Sequence, residues 1–419
     1  MMNTLLMTFV SRFPRPEFES GYQYPEQAYA VPYESFWNVV DIVLLIGLMS
    51  LVTWAAYKKR TRGPIIITSL ISVAYFGFFR EGCVCSIGSI QNIALAMVDN
   101  TYHLPLIVLL FFLLPIIFAF LFGRVFCAGV CPFGALQELL NVKNYRISKS
   151  VSSALSVIPW LYLIFALLYA LTRSRFIICQ FDPFIGIFRL GGDFGLITFG
   201  AILLIMSVFT GRPFCRFLCP YGALLSLFSS VSIWKIKITE KACVNCQLCH
   251  NSCPVDAVLP PYQNKDNEGR NQGVVRILKY AVGLPLIMLI GALLMRMSSN
   301  NLSYAHKEVR LYELVQIQEA HPDNEMLPEV EAFYAQGRTL EELQQNYDTI
   351  QKEFSIYSTI TGALIGLVIG LKLINLSVKR TRKEYEIDHR YCVACGKCFS
   401  YCPQNKGVLI QRNKINNAL

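Results

Sequence analysis

Charge is scarce in this chain: Asp, Glu, Lys and Arg make up 16% of its 419 residues, where soluble proteins carry about a quarter. Together with 54% hydrophobic residues, that deficit excludes an ordinary water-soluble globule. Histidine is rarer still, and the five copies include no pair inside an apolar run, which argues against a cytochrome b-type haem site. His103 reads as an interfacial residue, His250 and His389 accompany cysteine motifs, and His306 and His321 fall in an acidic loop. No glycine-rich dinucleotide or phosphate loop occurs, so neither NAD nor ATP is supported. The N-terminal MMNTLLMTFV is too short for a signal-peptide core, and residues 1–36 are expected to form an external arm.

What is plentiful is apolar sequence. Runs near 37–57, 64–79, 104–122, 153–172, 194–210, 275–297 and 356–376 approach the ~20 residues that cross about 30 Å of hydrocarbon as helix. The expected fold class is an all-α polytopic membrane protein of about seven transmembrane helices in pseudo-repeated hairpins. The net charge of +10 then reads as topology and not as nucleic-acid binding. KKRTR (58–62), NVKNYRISK (141–149), KIKITEK (235–241) and VKRTRKEYEIDHR (378–390) alternate along the runs as the positive-inside rule requires if the N-terminus is outside and the C-terminus cytoplasmic. Arg80, Arg173, Arg175 and Arg189 dissent, because this scheme places them outside.

Eight of the fifteen cysteines form two copies of C-x2-C-x2-C-x3-C-P: CVNCQLCHNSCP (243–254) and CVACGKCFSYCP (392–403). This is the bacterial ferredoxin run, whose first three thiolates hold one [4Fe-4S] cube while the fourth reaches the other. A structural zinc site usually pairs two short knuckles and does not pack four thiols so tightly. The spacing therefore predicts Cys243, Cys246, Cys249 and Cys402 around one cluster, and Cys392, Cys395, Cys398 and Cys253 around the other. Two apolar runs and an acidic loop separate the halves, so they meet only if that insertion leaves the cytoplasm and returns. The charge-based topology has it do so.

Four more cysteines lie in a second repeat, GRVFCAGVCPFGAL (123–136) and GRPFCRFLCPYGAL (211–224), identical at nine of fourteen positions. Spacing of i and i+4 is expected to put Cys127 with Cys131, and Cys215 with Cys219, on one side of a helical turn. Two such pairs supply four thiolates for an iron-sulfur cluster or another thiophilic metal. Arg124 and Arg212 either offset thiolate charge or anchor the interface, and Gly134 and Gly222 allow close backbone approach. CSIGSIQ (85–91) parallels CPFGALQ (131–137), and CQFDPFIGIF (179–188) is a weaker copy with DPF for CPF. If the repeats pack about a pseudo-twofold axis, Cys83, Cys85 and Cys179 form an outer metal site, with Asp182 a candidate to complete it. A structural disulfide through Cys179 is the rival reading.

The segment 298–355 carries eleven acidic against four basic residues and no cysteine. It reads as two or three short helices broken near Pro322, Pro328 and Gly337, with Thr339 an N-cap before Glu342; its use is either partner docking or a solvated cap. TGAL (361–364) reads as helix packing and not as a flavin-attachment site. The expected organisation is thus an arm (1–36), a membrane core (37–230), a first ferredoxin half (231–274), a transmembrane helix (275–297), an acidic extracytoplasmic domain (298–355), a transmembrane helix (356–376) and a second ferredoxin half (377–419), the halves forming a small cytoplasmic bacterial-type 2[4Fe-4S] ferredoxin module.

With paired GRxFCxxxCPxGAL motifs beside membrane runs and ferredoxin motifs on the cytoplasmic side, the chain resembles the NosR/NapH-type membrane polyferredoxins from about residue 37 onward. It departs from NosR in lacking a large N-terminal flavin-binding domain, and from NapH in splitting its ferredoxin with a membrane hairpin. The resemblance implies an iron-sulfur electron carrier of the bacterial cytoplasmic membrane, with an extracytoplasmic redox partner, in some members flavin-bearing, and a cytoplasmic electron donor. Related alternatives are a metal-handling or cofactor-assembly factor of the CcoG cupric-reductase kind and a quinol dehydrogenase subunit.

Overall fold

The computed structural model describes residues 35–82, 85–142, 144–189, 191, 193–238, 243–262, 270–321, 326–378, 382 and 384–405; residues 1–34 of the expected arm, Cys83 and the expected break at Pro322 lie outside them, and residues 35 and 36 already belong to the first helix. Each of the seven apolar runs is helical there, as it must be where only intrahelical bonds can satisfy the backbone. Four helices are long and apolar enough to cross a membrane: Phe36–Lys59, Lys149–Leu171, Gly273–Met297 and Leu340–Ser377. Gly63–Phe79, Leu106–Phe122 and Phe194–Phe209 are shorter, covering about 25 Å at ~1.5 Å per residue. Outward faces stay apolar, with Val43, Ile67, Ile205, Leu286 and Leu293 exposed. Pro105 starts the Leu106–Phe122 helix and does not interrupt it, whereas Pro115 lies inside.

Three of the dissenting arginines have local partners. Arg80 is buried and its Nη2 pairs with Asp41 Oδ2 at 2.6 Å; Arg173 faces Glu353 at 3.8 Å, and Arg189 Nε donates to the Glu81 carbonyl at 3.4 Å. Their charges are engaged by the fold, which weakens them as topology signals.

The acidic segment folds into helices Ser299–Ser303, Lys307–Ala320 and Pro328–Ala335 around a small core of Val315, Val330, Phe333 and Leu343. The expected boundary at 355/356 falls inside one unbroken helix, Leu340–Ser377, which opens with Thr339 Oγ1 accepting from Glu342 N at 3.3 Å. That helix packs along Arg270–Met297, and a Cβ on Gly362 or Gly366 would collide with the backbone of the facing turn at Ile287–Ala292. Small residues let two membrane helices approach this closely, so Gly362 of TGAL is a packing residue.

Both helices end where the ferredoxin halves meet. Strand Val258–Leu259 pairs antiparallel with Glu386–Ile387, extended by a bridge between Tyr262 and Arg382. The insertion therefore leaves and returns to one place.

Candidate metal centres

The two ferredoxin runs fold alike because their backbones turn left-handed at matching positions: Asn245 (φ 55°) and Gln247 (φ 61°) in the first, Ala394 (φ 56°) and Gly396 (φ 73°) in the second. Each run wraps a small cavity. Cys243, Cys246, Cys249 and Cys402 line one, with Tyr385 and Ile238. Cys253, Cys392, Cys395 and Cys398 line the other, with Val255 and Phe399. This is the crossed grouping expected from the spacing. The second cavity is the deeper: burial raises the Cys392 thiol to about 12 and the Cys395 thiol to about 11, against backbone N–H groups that favour the thiolates. Thiols held so high ionise on meeting a metal cation, and the Ala257 amide already donates to Cys253 Sγ at 3.2 Å. Four converging thiols with amide donors in an apolar cradle fit an iron-sulfur cluster.

The C-x3-C-P motifs correct one expectation. Neither is a continuous helical turn: short helices Val125–Gly129 and Pro213–Phe217 stop, and Cys131 (ψ 118°) and Cys219 (ψ 111°) are extended before new helices begin at Pro132 and Pro220. Proline disfavours helical geometry in the residue before it and suits the first helical turn. Cys219 thereby becomes a cap, its Sγ accepting from Gly222 N at 3.2 Å. The four thiols still converge, each within electrostatic reach of the others. Close approach explains the glycines: a Cβ on Gly134 would lie 3.5 Å from Cys215 Sγ, and one on Gly222 would lie 2.9 Å from Arg124 Nη2.

Arg124 and Arg212 are both buried, so neither is an interfacial anchor. Arg124 Nη2 approaches Cys127 Sγ at 3.9 Å. Arg212 donates to the carbonyls of Cys127 and Ala128 and pairs through Nε with Glu138 Oε2 at 3.0 Å. The other Glu138 oxygen meets Arg62 Nη2 at 2.8 Å and Lys397 Nζ at 3.1 Å. Burial pushes the Glu138 carboxyl up, but Arg212, Lys397 and Arg62 hold it below its ordinary 4.5. One carboxylate among three cations thus sits between the C-x3-C-P thiols and the second ferredoxin cavity, with Arg212 facing both Cys215 and Cys395. Sequence reading missed Glu138, Arg62 and Lys397, which no motif joins.

The remaining copies pair in the same way. Gln137 Oε1 accepts from Phe214 N, just before Cys215, at 3.1 Å; Gln91 Oε1 accepts from Ile178 N, just before Cys179, at 2.8 Å. A Cβ on Gly88 would lie 3.0 Å from Cys179 Sγ, as Gly134 faces Cys215. Cys85 is a free thiol in electrostatic contact with Asp182 and Cys179. Asp182 takes the position of Cys219 and accepts from Phe184 N at 3.0 Å. Two tyrosines not singled out from sequence stand between the pairs. Tyr162 senses Asp182, Cys179 and Cys219, and Tyr221 senses Cys127, Cys219, Cys131 and Cys85. Among the described residues no three His, Cys, Asp or Glu side chains close tightly enough on one point to hold a single metal ion.

The 4Fe-4S binding domain family matches residues 104–149 and 193–239, the stretches that carry the two C-x3-C-P motifs. Protein MJ0750 of Methanocaldococcus jannaschii is 29% identical over 45% of this chain and 80% of its own length. The regulatory protein NosR of Stutzerimonas stutzeri is 26% identical over 56% of this chain and 36% of its own. The ferredoxin-type protein NapH of Haemophilus influenzae is 25% identical over 36% and 55%. The chain therefore spans about a third of NosR and just over half of NapH. No solved structure matches it.

Proposed function

Because the chain belongs to the NosR/NapH-type membrane polyferredoxin family, we propose that it passes electrons on iron-sulfur clusters between a cytoplasmic-side ferredoxin module and redox partners within or beyond the membrane. Cys243, Cys246, Cys249 and Cys402 hold one [4Fe-4S] cluster, and Cys253, Cys392, Cys395 and Cys398 the other. Cys127, Cys131, Cys215 and Cys219 hold a third metal group, and Cys83, Cys85 and Cys179 with Asp182 an outer one. Bound clusters supply one-electron exchange. The seven apolar helices all take part in spanning, with the N-terminus outside, and the boundaries drawn from sequence mark the domains except at 274/275 and 355/356, where the helices Arg270–Met297 and Leu340–Ser377 run through them. The acidic segment offers its helices to an external, flavin-bearing or other redox partner.

The observation that carries this reading is contiguity. Arg212 Nη1 and Cys215 Sγ both lie 3.5 Å from where a Cβ on Gly134 would stand, and Arg212 is in electrostatic contact with Cys395 as well, while Tyr162 is in electrostatic contact with Cys219, Cys179 and Asp182. The protein's part is to hold the sites in sequence, exclude water and offset charge: Arg124 and Arg212 do so for the C-x3-C-P thiolates. The decisive experiment is iron and sulfide analysis with electron paramagnetic resonance on anaerobically purified protein, followed by electron transfer across sealed vesicles. Cys215→Ala is expected to block transfer and leave both ferredoxin signals intact. Stoichiometric copper at the C-x3-C-P thiols, with transfer absent, would move the protein to metal handling.

A further inference from the structure

Two adjoining cavities lie where the long helix Leu340–Ser377, the helix Ile158–Leu171 and the ferredoxin module meet. The first, of about 530 Å³, is within the usual ligand-pocket range of about 300–1,000 Å³. Its walls are apolar, with Trp160, Leu163 and Leu167 opposite Leu364, Leu367 and Leu371. At its polar end stand Arg124, Arg216, Lys372 and Arg390, and no Asp, Glu or His among the described residues lines it. The second cavity, of about 720 Å³, shares Ser230, Asn375 and Arg390 with the first and adds Lys149 and Arg382 against Glu386 and Asp388.

Arg124 is held against the Cys127 thiol; without it, cations among the described residues still outnumber acids across the two walls, five (Lys149, Arg216, Lys372, Arg382, Arg390) to two (Glu386, Asp388). Arg216 and Arg390 have ion-pair partners in Asp256 and Asp388. Lys372 Nζ, by contrast, donates to Ser156 Oγ at 2.6 Å and makes no ion pair among the described residues. An apolar trough that opens on unbalanced cations suits an anionic amphiphile, since phosphate oxygens accept strong charge-assisted hydrogen bonds from Lys and Arg. Basic pockets between membrane helices bind anionic lipid headgroups in this way. A neutral quinone would leave the cations unbalanced, and the carboxylates and imidazole at the site, Glu386, Asp388 and His389, line the second cavity and not the apolar trough where a quinone ring would lie.

We propose that these cavities bind one anionic phospholipid, its acyl chain between Leu163 and Leu367 and its phosphate among Lys372, Arg390 and Lys149. The lipid then fastens the second ferredoxin half to the membrane helices, because it touches both sides of their joint. The test uses the full-length protein, delipidated in detergent and titrated with phosphatidylglycerol, phosphatidylcholine, a short-chain quinone or inorganic phosphate, with native mass spectrometry and thermal unfolding as readouts. Phosphatidylglycerol is expected to bind at one per chain and raise the unfolding midpoint, with the other three without effect. Lys372→Gln is expected to weaken it roughly fivefold, and Leu367→Trp, which fills the trough, to abolish it with the iron content kept. If Leu367→Trp fails to fold, Lys372→Gln decides alone. Equal binding of phosphatidylcholine, a shift with phosphate alone, a quinone that competes with the lipid, or unchanged binding by the variants would each overturn the proposal.

Discussion

Glu138 and Lys397 share one contact of 3.1 Å, yet removing either partner is expected to have very different consequences. Glu138→Gln leaves Arg212, wholly buried, and Lys397, nearly so, without an anion. Orphaning a buried charge costs about 3–5 kcal/mol, and a neutral amide that still accepts one hydrogen bond puts the loss near about 3 kcal/mol. Lys397→Met leaves the carboxylate with Arg212 at 3.0 Å and Arg62 at 2.8 Å. What it forfeits is chiefly the bond to Asn141 Oδ1, on the order of 1 kcal/mol. Amide exchange of the Lys397–Ser400 helix reads the difference, because Phe399 N and Ser400 N bond to the Gly396 carbonyl beside Lys397. Protection should fall roughly a hundredfold in Glu138→Gln and roughly fivefold in Lys397→Met. Acidity gives a second signature. The Glu138 carboxyl sits below its ordinary 4.5 when folded, so its stabilisation is complete above that value and is lost as pH falls through the lower, folded one. Wild type should show that acid limb and Glu138→Gln should not. Equal losses in the two variants would refute the claim that the carboxylate is the keystone of the cluster.

Cys402→Ala is expected to remove the metal held near Cys243 and spare the one near Cys392; loss of the Cys392 signal in resonance spectra would show that the fourth cysteines do not cross. Gly88→Ala should displace Cys179, whose Sγ would sit 3.0 Å from the new methyl, and lower metal at the outer pair, with Gly222→Ala doing the same at the C-x3-C-P pair through Arg124 Nη2 at 2.9 Å; unchanged iron per chain in both would count against the convergence. Gly362→Leu should part the helices Arg270–Met297 and Leu340–Ser377 and lower the thermal midpoint of the purified protein, whereas the same change at Gly283, which faces nothing within 4 Å, should be silent.

How far the sequence reaches depends on whether a contact leaves a local trace. Helix positions were legible because apolar runs must be helical in hydrocarbon, and Thr339 announced its cap through Glu342. The crossed grouping of Cys253 with Cys392, Cys395 and Cys398 was legible because spacing within a run dictates it. The helical turn assumed for Cys127 and Cys131 failed because periodicity was weighed and Pro132, which forces Cys131 to be extended, was not. Gln91 and Gln137 were aligned as equivalent, but nothing local says that each bonds the amide before a cysteine of the partner copy. Glu138 lies 74 residues from Arg212 and 76 from Arg62. Buried ion pairs across such separations carry no pattern that a single chain reveals.

The two thiol pairs share one framework and differ in charge. In each, a glutamine bonds the amide before the partner's first cysteine (Ile178 N or Phe214 N) and a glycine clears space for that cysteine's sulfur (Cys179 or Cys215). The C-x3-C-P pair then adds Arg124 against Cys127 and Arg212 against its carbonyl, so the thiolates meet positive charge where solvent is absent and attraction is strong. Around Cys85 and Cys179, Asp182 puts a carboxylate where Cys219 stands in the other pair, in electrostatic contact with Cys85. Added negative charge is harder to accept beside Asp182 than beside Arg124. If both pairs hold the same kind of cluster, this difference makes the C-x3-C-P pair the better electron acceptor of the two, and Tyr162, in electrostatic contact with Cys219 and with Asp182, marks the boundary across which that preference acts.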